Sequence, residues 1–160
     1  ISKLATYHFV ATAGSRDRLV GMGEAAERIM VTGAPGLDAL AQEAAMAPAD
    51  WRSQFGLTDG PFVLALFHPV VQQAGDALVQ TRALLDALNA TCLPVLWLEP
   101  NADAGSRDIL RALDEGRLPA GSLRLRHLPR PLFCAALREC ELLVGNSSSG
   151  IIEAASFGTT

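Results

Sequence analysis

The sequence predicts an α/β protein in which a parallel sheet is covered by helices on both faces. Three observations carry this. Short apolar or β-branched runs alternate with longer segments of helical periodicity. In the second half of the chain that alternation settles into strand, helix, strand, helix, strand, helix, strand, the pattern of repeated βαβ units with right-handed crossovers. The runs FVLALF and LPVLWL are almost continuously apolar, as strands buried on both faces must be.

Each element has a local reason. YHFVAT, Tyr7 to Thr12, reads as a strand, and Ser15 is placed to cap a helix whose Leu19, Val20 and Met22 fall at helical spacing before Gly23 ends it. RIMVT, Arg28 to Thr32, is a second strand, and Gly33-Ala34-Pro35-Gly36 turns the chain toward a helix from Leu37. The stretch 39–60 is rich in Ala, Gln, Glu and Asp, with Trp51 and Phe55 on one helical face, and reads as a connection between two lobes. From Phe62 the rhythm is regular: strand FVLALF, an amphipathic helix from Gly75 to Asn89, strand Leu93 to Leu98, and a helix from Ser106 to Glu115. LRLRHL, Leu123 to Leu128, then alternates like a strand, Pro131 opens a helix through Glu139, and ELLVG, Glu141 to Gly145, is the last strand.

Composition excludes several classes. The 160 residues are 49% hydrophobic and 19% charged with a net charge of −4, which leaves no basic footprint for nucleic acid. No apolar run approaches the roughly 18 residues that span a bilayer. Cys92, Cys134 and Cys140 are odd in number and lack CxxC spacing, which argues for buried thiols in a reducing compartment rather than a disulfide framework or a zinc site. The expectation is a cytoplasmic protein with no metal. Both ends interrupt the βα rhythm, so the chain reads as part of a longer protein.

Ligands of such sheets sit where strand C-termini meet helix N-termini. In the second half those ends carry His68-Pro69, Glu99-Pro100-Asn101, His127-Leu128-Pro129 and GNSSSGIIEA, residues 145–154, and all four are expected to line one crevice. Ser147, Ser148 and Ser149 fall where a helix begins, so backbone N–H groups and hydroxyls face an incoming phosphate. Glu153 can accept from vicinal hydroxyls, as acidic residues do with riboses. The competing reading is a serine cap followed by a carboxylate that favours the helix dipole. His68, held by the proline after it, is either a donor to a diphosphate or a structural turn residue. His8 reads as a core or interface histidine, His127 as a neighbour of the site, and Asn101 as a ligand contact or part of an ordinary turn.

Together ISKLATYHFVAT, RIMVTGAPGLDAL, the HPV after FVLALF, LEPNADAGS and GNSSSGIIEAASFGT resemble the UDP-N-acetylglucosamine 2-epimerase family, and more closely its hydrolysing branch. The resemblance runs in order along almost the whole chain. It implies two Rossmann-like lobes of the glycosyltransferase-B type with a UDP-sugar between them. Residues 1–38 would end the first lobe, 39–60 connect, and 61–160 form an incomplete second, UDP-binding lobe. By the same resemblance His68 contacts the diphosphate and assists departure of UDP, Ser147, Ser148 and Ser149 cradle the phosphates, and Glu153 holds the ribose. Leu128 would meet uracil through its backbone, and Asn101 would line the cleft. The implied reaction is loss of UDP with proton removal at C2, then addition of water to give N-acetylmannosamine, without a cofactor, by a homo-oligomer. The family's catalytic carboxylates belong to segments this chain does not contain. Ala155 and Thr160 stand where relatives usually have proline. A non-catalytic UDP-binding lobe and a UDP-sugar glycosyltransferase are the alternatives.

Overall fold

In the computed structural model, which describes residues 2–47 and 51–159, the chain divides into units of residues 1–39 and 40–160. The first unit is a single βαβ turn. Strand β1 (His8–Val10) pairs in parallel with β2 (Ile29–Val31), in the register His8 to Ile29 and Val10 to Val31, and helix α1 (Ala13–Gly21) crosses between them. The cap of α1 is Thr12 rather than Ser15: the Ser15 N–H donates to Thr12 Oγ1 at 3.1 Å, which places Thr12 at the extended position where the chain turns into the helix. No residue of α1 is fully buried: Leu19 is half-buried, while Val20 and, just past the helix, Met22 are exposed. His8 is buried, with Nε2 3.3 Å from Glu24 Oε2, and the ammonium of Lys3, 2.8 Å from Glu24 Oε1, holds the Glu24 carboxyl below the usual carboxylate range. Instead of a helix from Leu37, the glycine-proline turn forms a short 3-10 segment at Pro35–Leu37.

The second unit opens with helices α2 (Leu40–Met46) and α3 (Trp51–Gln54), so part of the expected connection carries core side chains; residues 48–50 of it, like Ile1 and Thr160, lie outside the described residues. The sheet follows as β3 (Val63–Leu66), β4 (Val95–Leu98), β5 (Leu123–Leu125) and β6 (Leu142–Gly145), all parallel, in the order β5-β4-β3-β6. The crossover helices are α4 (Ala77–Thr91), α5 (Ser106–Glu115) and α6 (Arg130–Glu139). Helix α4 starts later than Gly75 because Val71–Asp76 winds as a 3-10 segment with a kink at Gln73.

Strand alternation divides the core cleanly. Val63, Ala65, Val95 and Trp97 face one side and pack with Leu85 and Leu88 of α4 and Ile109 of α5. Leu64, Leu66, Leu96 and Leu98 face the other and pack with Ala135, Ala136 and Leu137 of α6 and with Trp51. Each buried leucine of this kind contributes about 1.5–3 kcal/mol. The outer strand β5 is shorter than the LRLRHL pattern suggests: its residues are only half-buried, and alternation alone cannot extend an edge strand whose partner β4 stops at Leu98. Cys134 and Cys140 are buried and Cys92 is exposed; burial pushes the Cys140 thiol up to about 11.

Arg52 fastens α3 to this core. Its Nε donates to Glu139 Oε2 at 3.1 Å, one terminal nitrogen donates to the Gly60 carbonyl at 2.6 Å, and the guanidinium stands 4.9 Å from the centre of the Phe62 ring. Burial opposes charge on Glu139, but the guanidinium groups of Arg138 and Arg52 outweigh it and hold the carboxyl below its ordinary range.

The register Leu66 to Leu98, Leu98 to Leu125 and Leu66 to Gly145 aligns all four strand ends in one row. Gly145 makes the approach of β6 to β3 possible: its φ is +151°, and a Cβ there would collide with the Leu66 carbonyl. Gly145→Ala is therefore expected to cost about 3 kcal/mol or more of stability. Thermal unfolding checks this, and an unchanged midpoint contradicts the close approach.

Candidate functional site

The chain leaves β3 toward β4 and β5 on one side and returns to β6 on the other, so the strand order reverses between β3 and β6. In open parallel sheets that reversal parts the crossover helices and opens a crevice above the strand ends. The sequence places His68 after one of these two strands and the serines after the other.

At their junction the Asn146 carboxamide bonds to the main chain of His68 in both directions. His68 N–H donates to Asn146 Oδ1 and Asn146 Nδ2 donates to the His68 carbonyl, each at 2.8 Å. Asn146 N–H donates to the Leu66 carbonyl at 3.2 Å. On the other side of His68, the Asn101 backbone N–H reaches ring Nδ1 at 3.4 Å. With Nδ1 accepting, the neutral ring carries its proton on Nε2, so His68 offers a donor.

A cavity of about 330 Å³ lies here, with His68, Leu128, Ser147 and Ser149 among its lining residues. Arg126, His127 and Arg130 add a basic rim. The one carboxylate in the lining, Glu99, is engaged by Arg124 at 2.7 Å and Arg126 at 3.8 Å. Leu128 is buried, and its backbone N–H and C=O have no hydrogen-bond partner among the described residues. The N–H groups of Ser147 and Ser148 are likewise unpaired there. Ser147 Oγ accepts from Ser149 N–H at 3.4 Å. Cationic side chains, a histidine donor and unpaired amides around one cavity suit a bound anion.

The remaining expected residues stand apart from this lining. Ser148 is exposed. Asn101 lines an adjoining groove, where its Nδ2 donates to Asp103 Oδ2 at 2.6 Å and its carbonyl accepts from Ser106 Oγ. Glu153 separates two single-turn helices, α7 (Ser149–Ile152) and α8 (Ala154–Phe157). Its Oε2 is buried and has no hydrogen-bond partner among the described residues. Behind the cavity rim, Glu43 of α2 pairs with Arg130 and lies 3.7 Å from Cys134 Sγ. Burial raises the Cys134 thiol; the Arg130 charge opposes this, and the Glu43 and Glu153 carboxylates add to it.

Asn146, Arg126 and Arg130 escape a motif reading. Asn146 looks like part of a serine tract, and both arginines look like ordinary surface charge. A signal for Arg130 was present in its position at the start of a helix that follows a strand end.

A parallel sheet covered on both faces, with a crevice at its reversal point, defines a Rossmann-like α/β class of protein. More narrowly, the chain belongs to the UDP-N-acetylglucosamine 2-epimerase family, whose model matches residues 1–160. It is 41% identical over 158 residues to a UDP-N,N'-diacetylbacillosamine 2-epimerase (hydrolyzing) of Legionella pneumophila, across 98% of this chain and 42% of that protein. It is 30% identical over 162 residues to a UDP-N-acetylglucosamine 2-epimerase of Neisseria meningitidis serogroup B, across 99% of this chain and 42% of that protein. The chain thus spans well under half the length of these relatives.

Its fold is shared with the crystal structure of the Neisseria meningitidis UDP-GlcNAc 2-epimerase bound to UDP-GlcNAc, with TM-score 0.78, 16% identity, and 99% and 44% of the two chains covered. It is shared also with an S. aureus MnaA–UDP co-structure, with TM-score 0.72, 18% identity, and 99% and 42% covered.

The unpaired Glu153 oxygen yields a prediction. Glu153→Gln keeps the side chain's shape and replaces a carboxylate that has one oxygen buried without a partner among the described residues, so the unliganded chain should gain about 0.5–2 kcal/mol. A lower or unchanged thermal midpoint would show that Glu153 is already satisfied.

Proposed function

We propose that the longer protein to which this chain corresponds is a hydrolysing UDP-N-acetylglucosamine 2-epimerase, and that this chain supplies its nucleotide-binding part. The supporting observation is the aligned row of strand ends, which gathers His68, Leu128, Ser147 and Ser149 round one cavity with a basic rim. A cavity of this size falls in the range of small-molecule sites, about 300–1,000 Å³.

In this reading the diphosphate lies against Ser147, Ser148, Ser149 and the Nε2–H of His68. Uracil meets the unpaired backbone groups of Leu128, and a ribose hydroxyl gives the orphan oxygen of Glu153 its donor. Asn101 lines the sugar side of the cleft. A base removes the proton at C2 of the sugar while the bond from C1 to the UDP oxygen breaks, leaving a 2-acetamidoglycal and UDP. His68 stabilises the charge that builds on the departing diphosphate. Water then adds across the double bond with protonation at C2 on the opposite face, and N-acetylmannosamine leaves as the free sugar. The first step is an elimination and the second an addition of water, with no net oxidation or reduction, so the chemistry calls for no redox cofactor. The base and acid at C2 come from the part of the protein that precedes this chain. Residues 1–38 close the first lobe and 61–160 belong to the second, with 39–60 between them. The enzyme works in the cytoplasm as a homo-oligomer. No helix among the described residues is long and apolar enough to cross a membrane.

The name of the Legionella relative supports hydrolysis as the outcome and offers a diacetamido sugar as the competing substrate. Incubating the longer protein with each UDP-sugar and identifying the released sugar tests the reading. N-acetylmannosamine and UDP in equal amounts are expected from UDP-N-acetylglucosamine, whereas release of a diacetamido sugar alone would move the substrate to that class. A UDP-sugar epimer with no free sugar would contradict hydrolysis. His68→Ala should lower turnover by about 10²-fold or more, and wild-type turnover would make the histidine a turn residue.

A further inference from the structure

We infer that Asn146 is a positioning residue: its carboxamide grips the main chain of His68 from both sides and thereby sets the imidazole in the cavity wall. This inference rests on the proposed use of His68 in the nucleotide crevice.

The β3·β6 ladder ends at the pair Leu66 and Gly145. Beyond it Asn146 takes over with its side chain, which presents one acceptor and one donor side by side as a peptide group does. Both are used, at 2.8 Å, on the N–H and C=O of His68. The same residue's backbone N–H is committed to Leu66. Three atoms of one residue are thus spent on Leu66, at the end of the strand, and on His68, which leaves it. Pro69, buried after it, has no N–H, so a ladder could not continue past His68.

The consequence reaches the ring through the other contact of His68. Asn101 N–H meets Nδ1 at 3.4 Å, near the limit of a hydrogen bond, so a small shift of the His68 main chain breaks it. With it goes the preference for the Nε2–H form, which is the form that can donate to a diphosphate. Residue type is therefore restricted. Aspartate could accept from His68 N–H, but its second oxygen would face the His68 carbonyl with no proton to offer. Alanine makes neither bond, and glutamine carries an extra methylene into a gap already closed at 2.8 Å.

Two-dimensional ¹⁵N–¹H spectra of the histidine rings at mildly alkaline pH, together with titration by UDP, test this. The wild-type chain should show His68 as the Nε2–H form and slowed exchange of the Asn146 side-chain amide protons. Asn146→Asp and Asn146→Ala should mix the His68 tautomers and weaken UDP binding about tenfold, the effect of one or two lost hydrogen bonds. If the alanine variant fails to fold, the near-isosteric aspartate variant and the wild-type exchange measurement still decide. Wild-type His68 spectra and UDP affinity in either folded variant would overturn the role, as would Asn146 amide protons exchanging like those of an unbonded asparagine. A wild-type chain that binds no UDP, yet whose His68 signal responds to Asn146, would refute the proposed function and leave the positioning role supported.

Discussion

The two hydrogen bonds between the Asn146 carboxamide and the His68 main chain join strand ends that lie 78 residues apart in sequence. The crevice depends on that join. A parallel sheet whose order reverses beside a central strand necessarily leaves a gap between the helices on either side, and the loops that rim the gap have no ladder to hold them. Here the gap is bounded by one side chain acting as an extra peptide unit, and Gly145 lets the second backbone come near enough for it to reach. His68 and the chain entering the serine loop are thereby tied to the strand ends.

The packing below explains why the polar groups collect at this edge. The central residues Val63, Leu64 and Ala65 of β3 and Val95, Leu96 and Trp97 of β4 have no exposed surface, and both faces of the sheet are covered. A polar side chain within these strands would lose water without gaining a partner. Immediately past the strand ends, half-exposure permits His68 and Glu99. Rigidity in the core and polarity at its rim come from one arrangement: the apolar strands stop together, in register, at Leu66, Leu98 and Leu125.

What could be read from sequence was what repeats. The double-faced apolar strands, the βα alternation and the gathering of loops at the strand ends follow from periodicity and from the geometry of parallel sheets, and α5 runs from Ser106 to Glu115 as its pattern indicates. Details that depend on one contact were not legible. Thr12 rather than Ser15 caps α1 because the cap is fixed by a single bond to Ser15 N–H, and either hydroxyl satisfies the pattern. LRLRHL alternates through Leu128, yet pairing requires a neighbour and β4 ends first. The serine motif suggests one helix; the fold divides it into two single turns on either side of Glu153, whose own backbone stays helical and whose Oε2 is buried without a partner among the described residues. Asn146 was hidden by its surroundings, since nothing in GNSSSG separates an asparagine that bonds a distant main chain from one that terminates a turn.

Hydrogen exchange of the chain with and without UDP tests most directly whether this rim is a nucleotide site. Slowed exchange confined to the segments around His68, Leu128 to Arg130 and Ser147 to Ser149 is the expected result, because unpaired amides at Leu128, Ser147 and Ser148 would then acquire acceptors. Unchanged exchange there at saturating UDP, or protection appearing only in other segments, would contradict it.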